Sequence, residues 1–152
     1  MKTWLVLAGF IVLCLGAGFV ASFATMQSVA EWYPTLNKPS WTPPNWLFAP
    51  VWTVLYVMMA VAAWLVWRAG NSGTALFLFF GQLLLNVAWS FLFFGAQSPL
   101  LGLINIVLMW LAIAITIFAF AMRSRLAAFL MVPYICWVSL ATALNASIYM
   151  LD

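Results

Sequence analysis

Five long apolar runs, without one Asp, Glu, Lys, Arg or His in their interiors, account for most of this 152-residue chain. Each reaches the roughly 20 residues that a helix needs to cross a hydrocarbon core about 30 Å thick. Inside a bilayer every backbone polar group has to be satisfied within the protein, as it is in a helix. The chain is therefore predicted to be an all-α integral membrane protein, a five-transmembrane-helix bundle in one domain, residues 1–152. A soluble fold is excluded on composition: 68% of the residues are hydrophobic and 5% charged, against roughly 25% charged in a soluble domain.

The helices are predicted at about 3–26, 46–68, 74–94, 100–122 and 126–150. The one long connection, 27–45, holds Pro34, Pro39, Pro43 and Pro44, which fix φ and remove backbone donors, so a helix cannot run through them. Gly70-Asn71-Ser72-Gly73, Gly95 to Pro99 and Arg123-Ser124-Arg125 close the shorter connections. The opening Met1-Lys2 followed by an apolar run has the outline of a signal peptide, but the run exceeds the usual 7 to 15 residues and is read as an uncleaved first helix.

Seven charges give a net +3, too sparse for a nucleic-acid surface. Lys2, Arg68, Arg123 and Arg125 fall on one side of a five-span topology, and Lys38, Glu31 and Asp152 on the other. The positive-inside rule then sets the N-terminus in the cytoplasm, with the 27–45 loop and the C-terminus external. With no charge at membrane depth, hydrolytic, metal-dependent and proton-coupled mechanisms lose their usual groups, and an ion-coupled transporter is disfavoured. Cys14 and Cys136 lie in apolar runs and are read as small hydrophobes.

What remains is aromatic and neutral-polar chemistry. Of ten tryptophans, Trp4, Trp64 and Trp67 suit an interfacial belt. Trp32, Trp41 and Trp46 gather at the loop, while Trp52, Trp89 and Trp137 fall inside helices. Gln82, Asn86, Trp89 and Ser90 share one face of the third helix, Tyr134, Trp137, Ala141 and Asn145 one face of the fifth, and Trp52 and Tyr56 one face of the second. Asn105 adds an amide in the external half of the fourth. Such amides can be interhelical hydrogen bonds worth about 0.6 kcal/mol each, or, with the indoles, the wall of a cavity for a flat, mostly apolar ligand. Small residues on the first helix, Gly9, Gly16, Ala17, Gly18, Ala21 and Ala24, and Gly81 and Ala88 on the third, fit either internal packing or a homodimer face.

Trp32-Tyr33, Asn37-Lys38-Pro39-Ser40-Trp41-Thr42-Pro43-Pro44 and Trp52-Thr53-Val54-Leu55-Tyr56 resemble the signature of the TspO/MBR family of tryptophan-rich sensory and translocator proteins, once called peripheral benzodiazepine receptors. Asn86-Val87-Ala88-Trp89-Ser90 with Phe93-Phe94, and Pro133-Tyr134, Trp137 and Ala141-Thr142-Ala143-Leu144-Asn145, are similar to its third- and fifth-helix motifs. The resemblance implies a five-helix bundle, often a homodimer, with a pocket beneath the loop after the first helix. It implies ligands of the porphyrin kind (protoporphyrin IX or haem) and isoquinoline- or benzodiazepine-type drugs, with no obligate cofactor. Matched residue by residue, it implies a pocket lined by Tyr33, Pro43, Trp52, Tyr56, Asn86, Trp89, Trp137 and Ala141, Asn86 supplying the amide contact. The functions that follow are a receptor or sensor of tetrapyrroles in a bacterial inner membrane, a tetrapyrrole transporter, or a light- and oxygen-dependent porphyrin-degrading activity with Trp52 and Trp137 as catalytic groups. The sterol pattern of mitochondrial members needs a basic residue after a tyrosine near the chain end, and here Tyr149 is followed by Met150-Leu151-Asp152. Without histidine, axial ligation of haem iron would need Met, Tyr or Cys, and stacking of a tetrapyrrole on indole faces is the expected mode.

Overall fold

The computed structural model describes residues 3–151, apart from the side chain of Gln27. Lys2 and Asp152, two of the charges used to orient the chain, lie outside the described residues. Five helices long and apolar enough to span a membrane make up the structure, and no strand occurs among the described residues. They are α1 (Thr3–Glu31), α2 (Asn45–Ala69), α3 (Gly73–Ser90), α4 (Pro99–Ala121) and α5 (Arg125–Leu151).

Local chemistry sets the ends. Pro44 is extended, at φ −65° and ψ 147°, and α2 starts immediately after it. Gly70, at φ 82°, stops α2 in a conformation that a side chain would disfavour. Ser98 caps α4, its hydroxyl accepting from Leu101 N at 3.1 Å with Pro99 in the first turn. Ser124 does the same for α5 through Ala127 N at 3.2 Å.

Two boundaries differ from the sequence expectation. The first helix does not end near Met26 but runs to Glu31, so the connection is 32–44 rather than 27–45. Residues 27–31 are polar enough to leave the hydrocarbon yet contain no helix breaker, and the extra turn is anchored by Ser28 Oγ, which donates to Phe94 O at 2.6 Å. The third helix is not α-helical to Phe94: Phe91–Gly95 widens into a π turn, with Ala96 N bonding Phe91 O at 2.8 Å.

Packing runs around a closed ring in the order α1, α2, α5, α4, α3 and back to α1. At the end carrying Arg68, Arg123 and Arg125 the ring is filled by Met59, Phe79, Met109, Ile113, Phe120 and Met131, all at most 1% exposed. Trp4 stacks on Trp64 there (5.7 Å, 26°), Trp64 Nε1 donates to Thr3 O at 3.0 Å, and the Arg68 guanidinium lies 4.8 Å over the Trp64 ring. At the opposite end a second cluster of Tyr33, Leu36, Phe93, Phe94, Leu144 and Ile148 fixes the loop onto α3 and α5.

Candidate functional site

Between the two clusters lies a cavity of about 650 Å³, inside the roughly 300–1,000 Å³ range of small-molecule sites. α1, α2, α5, the end of α3 and the loop line it, and α4 contributes no lining residue among those described. All eight residues matched from the sequence motifs stand on its wall: Tyr33, Pro43, Trp52, Tyr56, Asn86, Trp89, Trp137 and Ala141. Trp52 and Tyr56 get there because they are one turn apart on α2, and Trp137 and Ala141 likewise on α5. Pro43 is brought in by the loop, which Lys38 ties down: its Nζ donates to Tyr33 O at 2.8 Å and Leu36 O at 3.3 Å and sits 4.7 Å over the Tyr33 ring.

A chain of neutral hydrogen bonds forms the floor. Tyr56 OH donates to Asn86 Oδ1 at 2.5 Å, Asn86 Nδ2 to Tyr134 OH at 2.8 Å, and Tyr134 OH to Gln82 Oε1 at 2.7 Å. The four side chains come from α2, α3 and α5, and none is more than 5% exposed. In a medium without water each such bond keeps a polar group from being orphaned. Asn86 thus touches the cavity with an amide whose oxygen and nitrogen are both already engaged. Asn145 accepts from Trp89 Nε1 at 3.0 Å and donates to Pro99 O at 2.8 Å, and Asn105 donates to Leu85 O at 2.9 Å. Asn105 lies off the cavity, as does Gln82, so those two amides serve packing between helices.

The unused donors are more telling. Trp64, Trp89 and Trp110 each place the indole N–H on an acceptor, whereas those of Trp52 and Trp137 have no hydrogen bond among the described residues. Tyr33 OH, on a residue 2% exposed, has no partner either. Burial pushes the Tyr33 phenol up to about 12, so it stays a neutral donor. Aromatic rings meet along the wall: Trp52 lies 5.7 Å from Tyr56 and 6.3 Å from Tyr134, and Trp137 5.9 Å from Phe48. An aromatic-rich cavity with two unpartnered indole N–H groups on its wall suits a flat apolar molecule carrying hydrogen-bond acceptors.

Some of the lining escaped sequence reasoning. Phe48 was detectable, since it precedes Trp52 by one turn. Ser22, Thr25 and Val29 of α1 were not, because their weak polarity and the misplaced helix end gave no stripe to follow. Among the small residues of α1, Gly18 packs on Tyr56 and Ala21 is buried, whereas Gly9 and Gly16 have nothing within 4 Å of where a Cβ would stand. Among described residues no group of three or more His, Cys, Asp or Glu could hold a metal ion.

Comparison with known proteins agrees over the whole chain. It is 48% identical to the tryptophan-rich protein TspO of Chlorobaculum tepidum, covering 99% of this chain and 98% of that one. Identity is 38% to the tryptophan-rich sensory protein of Cereibacter sphaeroides (93% and 88% covered) and 37% to the human translocator protein (96% and 89% covered). The TspO/MBR family profile matches residues 10–151. The chain is a member of the TspO/MBR family, built as a five-helix membrane bundle.

Proposed function

We propose that this protein is a membrane receptor for porphyrins and other flat, hydrophobic, acceptor-bearing molecules of isoquinoline type, bound in the cavity beneath the loop. The observation that carries the reading is the pair of indole N–H groups without a hydrogen-bond partner among the described residues, those of Trp52 and Trp137, on the wall of an aromatic-rich cavity. A ring system stacks on the indoles, and its carbonyl or carboxylate oxygens take the donors. No cofactor is required; the porphyrin is the ligand. The names of the relatives, sensory protein and translocator protein, fit a protein that binds without needing acid–base groups. Its proposed setting is a bacterial inner membrane with the arginine-bearing end in the cytoplasm and the loop outside. A homodimer is proposed through the outward face of α1 that carries Gly9 and Gly16.

Titration of the reconstituted protein with protoporphyrin IX in the dark, followed by tryptophan fluorescence, tests the receptor reading: saturable quenching is expected, and quenching no greater than for free tryptophan would refute it. A second reading, light- and oxygen-dependent degradation of the bound porphyrin, is favoured by the position of Trp52 in contact with two phenol rings, Tyr56 and Tyr134. The Trp52→Phe/Trp137→Phe protein separates the two. It keeps aromatic surface and so binds with modestly reduced affinity, whereas protein-dependent bleaching under illumination disappears only if indole takes part in the chemistry.

A further inference from the structure

We propose that the cavity is reached from within the bilayer, through a slit between α1 and α2 in the half of the membrane nearer the loop, by a flat apolar ligand dissolved in the lipid. This rests on the cavity being the ligand site.

The same side chains line the cavity and face outward. Phe19 and Met26 of α1 are 65% and 69% exposed and still belong to its wall, as do the exposed Ala49 and Thr53 of α2. A residue can do both only where the wall is open. The slit narrows at Gly18, where α1 meets Tyr56 so closely that an added Cβ would lie 2.6 Å from Tyr56 Cε2, and Leu15 just below is the last α1 residue of the wall. Below that contact Cys14 is fully buried and Trp64 is bonded to Thr3, so the two helices stay together. Above it, the α1 lining extends to Val29, a rise of about 16 Å at about 1.5 Å per residue, roughly half of a 30 Å hydrocarbon core.

The rim suits an apolar traveller. Ser22 Oγ donates to Phe19 O at 2.6 Å and Thr53 Oγ1 to Ala49 O at 2.8 Å. Both hydroxyls donate within their own helices, so they face lipid without an unmet donor. At the loop end the packed cluster of Tyr33, Leu36, Phe93 and Phe94 covers the cavity, with Lys38 bonding the loop backbone to itself, and the exposed wall residue Asn45 marks where the opening reaches the start of α2. Passage there requires a cluster of buried aromatics to come apart; passage at the side requires only the displacement of lipid chains.

The experiment uses the full chain reconstituted in lipid nanodiscs, with two ligands read by tryptophan quenching. Free protoporphyrin IX establishes that the site binds; if it fails to quench, the ligand-site reading falls and the slit with it. A porphyrin joined covalently to the acyl chain of a phospholipid, and so unable to leave the bilayer, then tests the route. Saturable quenching by the tethered porphyrin, competed away by the free one, is expected. No competable quenching by the tethered form, where the free form binds, overturns the slit and leaves the receptor reading standing. Rates give a second measure. Ser22→Phe and Ala49→Phe, on opposite rims, are expected to slow both association and dissociation of free porphyrin, association by about ten-fold, because a raised barrier delays passage in both directions whatever the substitutions do to Kd. Unchanged rates in both variants, or slower association with unchanged dissociation, would count against the slit.

Discussion

Gly18→Ala is the most demanding test of how α1 is set against the cavity floor. The new methyl carbon would stand 2.6 Å from Tyr56 Cε2, 2.9 Å from Cδ2 and 3.3 Å from Cζ, well inside contact distance. Tyr56 cannot swing aside freely, because its hydroxyl is held by Asn86 Oδ1 at 2.5 Å and its ring lies against Trp52. Either α1 withdraws, at a cost of about 2 kcal/mol for over-packing, or Tyr56 turns and also gives up its hydrogen bond, about 1 kcal/mol more in a membrane interior. The expected loss is therefore about 2–3 kcal/mol, read as reversible unfolding in mixed micelles. A double-mutant cycle locates it. With Tyr56→Ala the ring is gone and Gly18→Ala should cost close to nothing, whereas with Tyr56→Phe the ring stays and the steric part of the cost persists. An equal cost of Gly18→Ala in the parental and Tyr56→Ala backgrounds would refute the assignment of Gly18 to this contact.

Tyr134→Phe removes the hub of the buried chain, leaving the Gln82 amide with no partner at either atom, since its Nε2 already has none. A loss of about 2 kcal/mol is expected, and Gln82→Leu in the same protein should recover part of it by removing the stranded amide; no recovery in the unfolding midpoint would argue against the chain. Tyr33 sets a pH dependence: its folded value of about 12 lies above the ordinary 10, so its contribution to stability is complete below pH 10 and is lost as the pH rises towards 12. Tyr33→Phe should flatten that alkaline limb in a plot of unfolding midpoint against pH, and an identical slope in the two proteins would contradict the burial of a neutral phenol.

Much of this molecule is written in its one-dimensional pattern. Five runs of spanning length, the prolines at 34, 39, 43 and 44 and the basic residues at 68, 123 and 125 decide helix number and place the long connection, because a bilayer accepts so few backbone structures. Helical periodicity likewise puts Trp52 with Tyr56 and Trp137 with Ala141 on common faces, and these faces do meet at the cavity. Periodicity cannot say which amide is free. Asn86, Asn105 and Asn145 look alike in sequence, and only their tertiary partners, Tyr56 with Tyr134, the Leu85 carbonyl, and Trp89 with the Pro99 carbonyl, decide which neighbouring helices each one ties together. The same holds for Gly18 against Gly9 and Gly16: identical residues on one helix, one pressed on a ring and two facing open space. The extra turn of α1 and the π turn after Ser90 depend on each other through the Ser28–Phe94 bond across 66 residues, a contact that no local propensity contains. The ring order of the helices, and with it the unfilled space between α1 and α2, arises from long-range packing of side chains whose sequence separation leaves no periodic trace.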